Sequence, residues 1–281
     1  MVKKSIFIFF VFFCFYTLYI HFHKDISAVQ NQNQQNIVKT ENYFYSDTII
    51  KNVIIGSSLA ARLKTDSLPN TFNLSFAGLS ILDGLALIQS SKKYPEKILV
   101  ETNVLTRDLK KDFISSLTNP VSYNTKKYFL SLRNSKQPIG ILAKEIQNIL
   151  KSESLKSDNT QSPKTANSSL RKQLLIEQLK KDNNFNDTLL IKRHCEEAKN
   201  YIDELLANNV EVILFKMPVN QELTLSKKYL YTKKFIDETF PKDKYKYIPD
   251  TNWNFETTDG LHLNGQEALI FTKYLKSLKL F

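Results

Sequence analysis

The sequence predicts an α/β protein whose sheet is mainly parallel. Four short runs rich in β-branched and aliphatic residues are typical of buried strands, and they lie at 51–56, 71–75, 97–103 and 210–218. Segments with helical periodicity alternate with these runs, at 81–90, 191–208 and 264–279. Strands that alternate with helices in this way favour a sheet covered by helices on both faces.

Composition narrows the class of protein. Hydrophobic residues make up 42% of the 281 residues, which is enough for a buried core and excludes a wholly disordered chain. The net charge of +11 is uneven, because 20 basic and 10 acidic residues fall between 92 and 195. A uniformly basic nucleic-acid binder would not concentrate its charge in this way, so nucleic acid is not an expected partner.

The N-terminus predicts a membrane anchor. Residues 5–22 are apolar and carry no Lys, Arg, Asp or Glu, and this run is just long enough to span a bilayer as a helix. Lys3 and Lys4 precede it and favour a cytoplasmic N-terminus, which places the rest of the chain outside the cytoplasm, in the periplasm or at the cell surface. A cleaved signal peptide is the alternative, but bulky residues at 19–23 offer no small-residue cleavage site.

The expected organisation is an anchor at 1–23, a polar tether at 24–48 and one α/β domain at 49–281. Within that domain the pattern weakens at about 108–188, which we interpret as a basic insertion. Residues 152–169 are rich in Ser, Asn, Thr and Lys and predict an exposed or disordered loop between short helical runs. We hypothesise that this insertion faces anionic lipid headgroups or an acidic glycan near the cleft.

The first predicted strand leads directly into Gly56-Ser57-Ser58. Ligands of open parallel sheets bind at the carboxyl ends of the strands, so Ser58 is a candidate nucleophile. A helix beginning near Leu59 would place Ser58 at its N-terminus, where backbone N–H groups favour developing negative charge. The alternative interpretation is a serine that caps a helix after a glycine turn.

A second candidate element lies near the C-terminus, where Asp259 precedes His262 by three residues. A compact turn of this kind lets the carboxylate hold the imidazole Nδ1–H and leaves Nε2 to take a proton from a serine. Asn264 follows as a plausible helix N-cap. A surface turn histidine is the alternative interpretation.

Two more residues complete a set at the strand ends. Gly78 follows the second strand and Asn103 ends the third. The Gly78 N–H and the Asn103 amide, with the Ser58 N–H, are candidate donors of an oxyanion hole. Each residue alone is also explained by turn formation.

The ordered set of Gly56-Ser57-Ser58, Gly78, Asn103 and Asp259-x-x-His262 resembles the SGNH (GDSL-like) hydrolase superfamily. The resemblance covers about 50–105 and 250–275. It implies a three-layer α/β/α flavodoxin-like domain in which Ser58 is the nucleophile, His262 the base and Asp259 its orienting acid. It also implies that Gly78 and Asn103 are oxyanion donors, with no cofactor and no metal.

Two departures from the family pattern narrow the resemblance. Ser57 stands where the family has an acid beside the nucleophile, and Val104 follows Asn103 where the family usually has Asp. With both departures, the chain resembles a membrane-anchored branch of the superfamily that is associated with O-acylation of surface polysaccharides. Members of that branch often act beside a membrane-bound O-acyltransferase. A carbohydrate esterase of the same fold is one alternative function. A catalytically degenerate accessory or glycan-binding subunit is another.

The remaining conspicuous residues have ordinary explanations as well as functional ones. His194 and Cys195 are adjacent but have no second Cys or His at metal-ligand spacing. Arg62 lies one turn beyond Ser58 and is either a contact for an anionic substrate or a solvated residue. Tyr247 and Trp253 precede the Asp259 turn and either wall an acceptor cleft or pack in the core.

Overall fold

The computed structural model describes residues 2–154, 164–251 and 253–281. The chain divides into two compact units. One contains Met1–Ser46 and Ser115–Ser162, and we call it the N-terminal unit. The other contains Asp47–Ile114 and Pro163–Phe281, and we call it the sheet unit. Every candidate catalytic residue belongs to the sheet unit.

The sheet unit is built on five parallel strands in the order β2-β1-β3-β4-β5. The strands are β1 (Asn52–Ile55), β2 (Thr71–Asn73), β3 (Lys97–Glu101), β4 (Glu211–Phe215) and β5 (Lys246–Tyr247). This is the strand order of flavodoxin-like folds, whose ligands bind at the switch point between β1 and β3. The predicted parallel α/β fold is therefore confirmed, and the four predicted strands are β1 to β4.

Among the described residues, two helices precede the first strand, and the others lie between strands or follow the last one. In chain order they are α1 (Val2–Phe22), α2 (Gln32–Phe44), α3 (Ile81–Ser91), α4 (Lys111–Thr118), α5 (Pro120–Tyr128), α6 (Pro138–Ser154), α7 (Lys164–Asn183), α8 (Thr188–Ala207), α9 (Lys227–Thr239) and α10 (Gly265–Ser277). The predicted helices correspond to α3, α8 and α10, and the short helical runs of the insertion to α6 and α7.

The central strands are buried on both faces, which explains their unbroken apolar sequence. The side chains of Val53, Ile54 and Ile55 in β1 are fully buried. Strands covered by helices on both sides have no solvent face, so they show no alternation of polar and apolar residues. β5 has no such run because it is only two residues long, and the sequence did not predict it.

The N-terminal unit contains α1, which among the described residues is long and apolar enough to cross a membrane. Within this unit the ring of Phe13 lies 6.1 Å from the ring of Phe129, between centroids. The Thr17 and Ser131 hydroxyls are 2.9 Å apart. The C-terminal half of α1 thus packs on the turn at 129–132.

The predicted polar tether is largely a packed helix. α2 occupies Gln32–Phe44, and Tyr43 and Phe44 are buried. Its Glu41 is also buried, pairs with Lys126 at 2.9 Å and accepts a hydrogen bond from the Asn134 N–H at 2.8 Å. The sequence predicted a tether because the start of the helix is rich in Gln and Asn, but its aromatic end packs inside the N-terminal unit.

The predicted insertion does not form one body. Its residues from Ser115 to Ser162 belong to the N-terminal unit, whereas α7 belongs to the sheet unit. The predicted loop at 152–169 is helical at both ends, where α6 runs to Ser154 and α7 begins at Lys164. The middle of that prediction, 155–163, lies outside the described residues.

Candidate active site

The turn after β1 is built around a glycine that admits no side chain. A Cβ on Gly56 would lie 2.5 Å from the Ala60 Cβ and 2.6 Å from the Glu101 Oε2. Both distances are far inside van der Waals contact, so a larger residue would displace the turn. Gly56 therefore lets the chain fold tightly against β3 and present Ser58 at the carboxyl end of the sheet.

Glu101, the last residue of β3, organises this turn. Its side chain is fully buried, and its Oε2 accepts hydrogen bonds from the backbone N–H groups of Ser57 at 2.8 Å and Ala60 at 3.2 Å. The Ser57 hydroxyl lies 2.9 Å from both carboxylate oxygens. That hydroxyl in turn accepts from the Leu59 N–H at 3.2 Å. The donors of the turn thus converge on one buried carboxylate.

Burial raises the pKa of Glu101 because it penalises the charged form. The hydrogen bonds from Ser57 and Ala60 and the charge of Arg107 act in the opposite direction. A buried acid at this position is stable only with such partners, since an unpaired charge in the interior is costly. Sequence reasoning missed this role, although an acid ending an otherwise apolar strand was a visible signal.

Ser58, His262 and Asp259 form a continuous hydrogen-bonded chain. The Ser58 Oγ lies 2.9 Å from the His262 Nε2, and the His262 Nδ1 lies 2.7 Å from the Asp259 Oδ2. The second carboxylate oxygen, Oδ1, accepts from the backbone N–H groups of His262 at 2.8 Å and Leu261 at 3.1 Å. The predicted Asp-x-x-His turn therefore has the geometry in which the acid orients the imidazole toward the serine.

The hydrogen bonds to Asp259 control its ionisation. Partial burial alone would raise its pKa, but the imidazole and the backbone N–H groups of His262 and Leu261 outweigh that effect. The net result is a pKa lowered to about 2. Asp259 is thus an anion at neutral pH and can stabilise the imidazolium that forms when His262 takes a proton.

The loop that carries His262 is fixed by its own backbone. Thr257 and Leu263 form an antiparallel bridge, and the Thr258 N–H donates to the His262 carbonyl at 2.8 Å. Gly260 has a φ of +90°, and a Cβ there would lie 2.7 Å from Leu175 Cδ1. Glycine is required at this position for both reasons.

Arg62 ties the serine turn to the histidine loop. Its guanidinium donates to the Leu263 carbonyl at 2.6 Å and lies 3.4 Å from the Thr258 hydroxyl. The contact joins the segment just after Ser58 to the segment just after His262. Arg62 is exposed, as the solvated interpretation expected, and its guanidinium also makes this structural contact, which the sequence did not predict.

The segment after Ser58 differs from its prediction. It is a single 3₁₀ turn, Ala60–Arg62, and no α-helix begins near Leu59. The N–H groups of Leu59 and Ala60 bond to Ser57 and Glu101. One short turn has no substantial macrodipole, so the predicted helix-dipole support for Ser58 is absent. Among the described residues no acceptor engages the Ser58 N–H, so this donor is available to a bound oxyanion.

Asn103 lies in the same cavity as the catalytic chain and is rigidly held. Its Nδ2 donates to the Met217 carbonyl at 2.9 Å, and its Oδ1 accepts from the Met217 N–H at 2.7 Å. An amide nitrogen carries two hydrogens, so one remains for an oxyanion. This paired contact with the chain after β4 fixes the orientation of the amide.

Gly78 is not placed with the others. It is exposed in the turn after β2 with a φ of +81°, and it is not among the residues that line the cavity of Ser58. The positive φ explains why glycine occurs here. The geometry therefore supports Ser58 and Asn103 as oxyanion donors more directly than Gly78.

A cavity of about 470 Å³ opens onto the catalytic chain and is lined by Ser58, Asn103, Asp259 and His262 together with residues of α7 and α9. A second cavity of about 360 Å³ shares Val219 and Tyr229 with it and is lined by Trp253. Trp253 is 53% exposed, whereas Tyr247 is partly buried and donates to the Phe240 carbonyl at 2.6 Å. Of the two predicted aromatics, Trp253 lines one of these two cavities and Tyr247 lines neither.

His194 and Cys195 have structural surroundings. The ring nitrogens of buried His194 lie 2.9 Å from the Leu105 carbonyl and 3.0 Å from Asp108 Oδ1, which attaches α8 to the loop after β3. Burial raises the pKa of the Cys195 thiol to about 12. Within the described ranges no group of three or more His, Cys, Asp or Glu side chains is arranged to hold a metal ion.

Comparison with protein-family models finds no match for this chain, and comparison with curated proteins finds none either. Support for a function of this chain therefore comes from the geometry of the site.

Proposed function

We propose that this chain is a membrane-anchored serine acyltransferase that acts on a surface glycan, most simply as an O-acetyltransferase. The observation that carries the proposal is the chain of short contacts from Ser58 through His262 to Asp259. Such a chain activates a serine as a nucleophile because the base accepts the hydroxyl proton while the acid orients it.

The chemistry runs in two balanced halves. His262 Nε2 takes the Ser58 hydroxyl proton as Oγ bonds to the acyl carbonyl, and the oxyanion accepts from the Ser58 N–H and the Asn103 amide. The donor's C–O bond breaks, and His262 returns the proton to the leaving oxygen. A sugar hydroxyl then attacks the acyl-serine, loses its proton to His262, and receives the acyl group as Ser58 recovers its proton.

Two further observations support a glycan acceptor and a location at the membrane. The cavity beside the catalytic one combines the exposed face of Trp253 with polar side chains including Gln221, Thr251 and Asn254, a lining that suits the faces and hydroxyls of a sugar. The anchor α1, with Lys3 and Lys4 in its first turn, fits an extracytoplasmic sheet unit. A membrane-bound O-acyltransferase that supplies acyl groups is the partner we propose.

The deciding experiment is acetate analysis of surface glycan in cells that carry Ser58→Ala. We expect glycan acetate to fall to the level of a deletion strain while the variant protein accumulates normally. Ser90→Ala, an exposed serine on α3, is the matched control and keeps full acetylation. Unchanged glycan acetate in Ser58→Ala would contradict the proposal.

The esterase alternative uses the same catalytic chain and differs only in whether water or a sugar attacks the acyl-serine. Full-length protein in detergent, given 4-nitrophenyl acetate and an oligosaccharide, separates the two reactions. Transfer of acetate to the oligosaccharide supports the acyltransferase, and rapid hydrolysis without transfer supports the esterase. An active-serine phosphonate probe that fails to label Ser58 would instead support a non-catalytic accessory subunit.

A further inference from the structure

We propose that the Ser58 cavity binds an anionic group of the substrate, a carboxylate or a phosphate, through Arg107, Lys181 and Lys228. The substrate would then be an acidic glycan, not a neutral one. The inference deepens the proposed function, and it rests on that function only for the identity of the reaction.

The three cations reach the cavity from three separate elements. Arg107 lies in the loop after β3, Lys181 in the last turn of α7 and Lys228 in the first turn of α9. All three line the cavity that also contains Ser58 and His262. A set of charges assembled from distant parts of the sequence is not a by-product of one lysine-rich segment.

These charges are close enough to repel one another. Burial lowers the pKa of Lys228, and the charges of Lys181 and Arg107 lower it further, against the opposing effect of Asp182. Lys228 also occupies the N-terminal turn of α9, where the helix dipole disfavours a cation. A bound anion would relieve both unfavourable interactions.

Acidic side chains do not cancel the positive charge fully. Asp182 and Asp259 line the cavity, but Asp259 is engaged by His262, and Asp182 lies 3.6 Å from Lys228 and accepts from Gln178 at 2.9 Å. Among the described residues, no carboxylate lies within ion-pair distance of Arg107 or Lys181, although the charge of Arg107 also favours the ionised form of buried Glu101. Arg107 donates one hydrogen bond to the Leu79 carbonyl at 2.9 Å, which leaves further guanidinium donors.

An unsatisfied hydroxyl lies beside these cations. The Thr232 Oγ1 is the buried side-chain oxygen that has no hydrogen-bond partner in the described part of the chain, and Thr232 is 6% exposed. It lies one helical turn after Lys228 on α9 and lines the same cavity. Buried polar groups are normally hydrogen-bonded. An anionic ligand oxygen between Lys228 and Thr232 would accept a hydrogen bond from the Thr232 hydroxyl and neutralise the Lys228 ammonium.

Binding is tested without catalysis by using full-length Ser58→Ala in a neutral detergent. The probes are a glucuronate oligosaccharide, a glucose oligosaccharide of equal length, and a glucose oligosaccharide that carries one phosphate. We expect the two anionic probes to bind at least about tenfold more tightly than the neutral one at low salt, since hydrogen bonds to charged groups are stronger than those between neutral groups. Comparison of the two anionic probes distinguishes carboxylate from phosphate recognition.

Variants assign the effect to the cavity. Lys181→Gln should reduce the anionic preference about two- to fivefold, whereas Lys180→Gln, an equally exposed neighbour on α7 that is not among the residues lining the cavity, should leave it unchanged. Because loss of Lys228 would leave Asp182 unpaired, Lys228→Gln is tested with Asp182→Asn in the same chain. Equal affinity for all three probes, or an anionic preference that survives both the Lys181 and the Lys228 variants, would overturn the inference.

Turnover separates this inference from the proposed function. Wild-type protein that fails to hydrolyse or transfer acetate from 4-nitrophenyl acetate contradicts the catalytic proposal. The binding comparison in Ser58→Ala still decides the anion site in that case. If turnover occurs, the ratio of kcat/KM for acetyl transfer from 4-nitrophenyl acetate to the glucuronate oligosaccharide over transfer to the glucose oligosaccharide should fall in Lys181→Gln and not in Lys180→Gln.

Discussion

The carboxylate of Glu101 accepts hydrogen bonds from both the backbone N–H and the hydroxyl of Ser57, at 2.8 and 2.9 Å. The two residues lie 44 positions apart and join the carboxyl ends of β1 and β3 at the switch point of the sheet. The sequence departs from the resemblance at Ser57, and this contact supplies an acid there from the neighbouring strand. The buried carboxylate therefore shapes the turn that presents Ser58.

Glu101→Gln is expected to lower kcat by about 10- to 100-fold, because the turn holding Ser58 loses an acceptor and shifts. The readout is kcat and KM for 4-nitrophenyl acetate, with kcat changed more than KM. Burial raises the pKa of Glu101, so the folded protein binds its proton more tightly than the unfolded chain. Its contribution to stability therefore falls as pH rises from its ordinary value of 4.5 through the folded pKa.

The pH dependence supplies a control for that interpretation. Thermal unfolding midpoints measured across acidic pH should show wild type losing stability relative to Glu101→Gln as pH rises. If the difference in midpoint were constant with pH, the pKa of Glu101 would be the same in the folded and unfolded states, which would contradict this interpretation.

Ser57→Asp should be strongly destabilising alone and partly rescued by Glu101→Gln. The Ser57 Oγ lies 2.9 Å from both Glu101 oxygens, so an acid at 57 places two carboxylates together in a buried site. The double variant again has a single acid. Thermal midpoints and turnover of both single variants and the double variant form a complete cycle. Additive effects would show that the two positions do not share one acidic role.

Asp259→Asn tests the anion that orients His262. The hydrogen bonds that lower the Asp259 pKa to about 2 stabilise the fold at every pH above the ordinary value of 3.8. This stabilisation is lost as pH falls from 3.8 through about 2. The gap in unfolding midpoint between wild type and Asp259→Asn should therefore be full at pH above about 5 and shrink in stronger acid. A gap that widens in acid would contradict the assignment.

Arg62→Gln is expected to lower kcat about tenfold with little change in KM, because it uncouples the serine turn from the histidine loop. The lost contacts are those to the Leu263 carbonyl and the Thr258 hydroxyl. Lys64→Gln is the control, since its side chain is exposed and only its backbone N–H bonds to Thr272. Equal effects of the two substitutions would indicate a general loss of charge.

The sequence predicted the sheet well because its buried strands carry continuous aliphatic runs. β1, β3 and β4 lie in the middle of a sheet with helices on both faces, so their composition is uniform. The sequence did not predict β5, because its two residues, Lys246 and Tyr247, are too few to form such a run. The sequence did not predict α2, because its Gln- and Asn-rich start dominates its composition, although Tyr43 and Phe44 are buried at its end.

The site was predictable where chemistry and local spacing coincide. Asp259 and His262 are three residues apart, so one turn suffices to pair them. Contacts that join distant parts of the chain left little or no local signal. Examples are the Asn103–Met217 pairing and the convergence of Arg107, Lys181 and Lys228 on one cavity.

The contact between Ser58 and His262 joins residues 204 positions apart. Synthesis proceeds from the N-terminus, so the proposed nucleophile is made long before the proposed base. Until the loop at 257–263 has docked, Ser58 has no proton acceptor and remains an ordinary alcohol. A chain truncated before Asp259 would carry the serine turn and the sheet residues that support it, yet it would be chemically inert. Reactivity is thus among the last properties that the folding chain acquires.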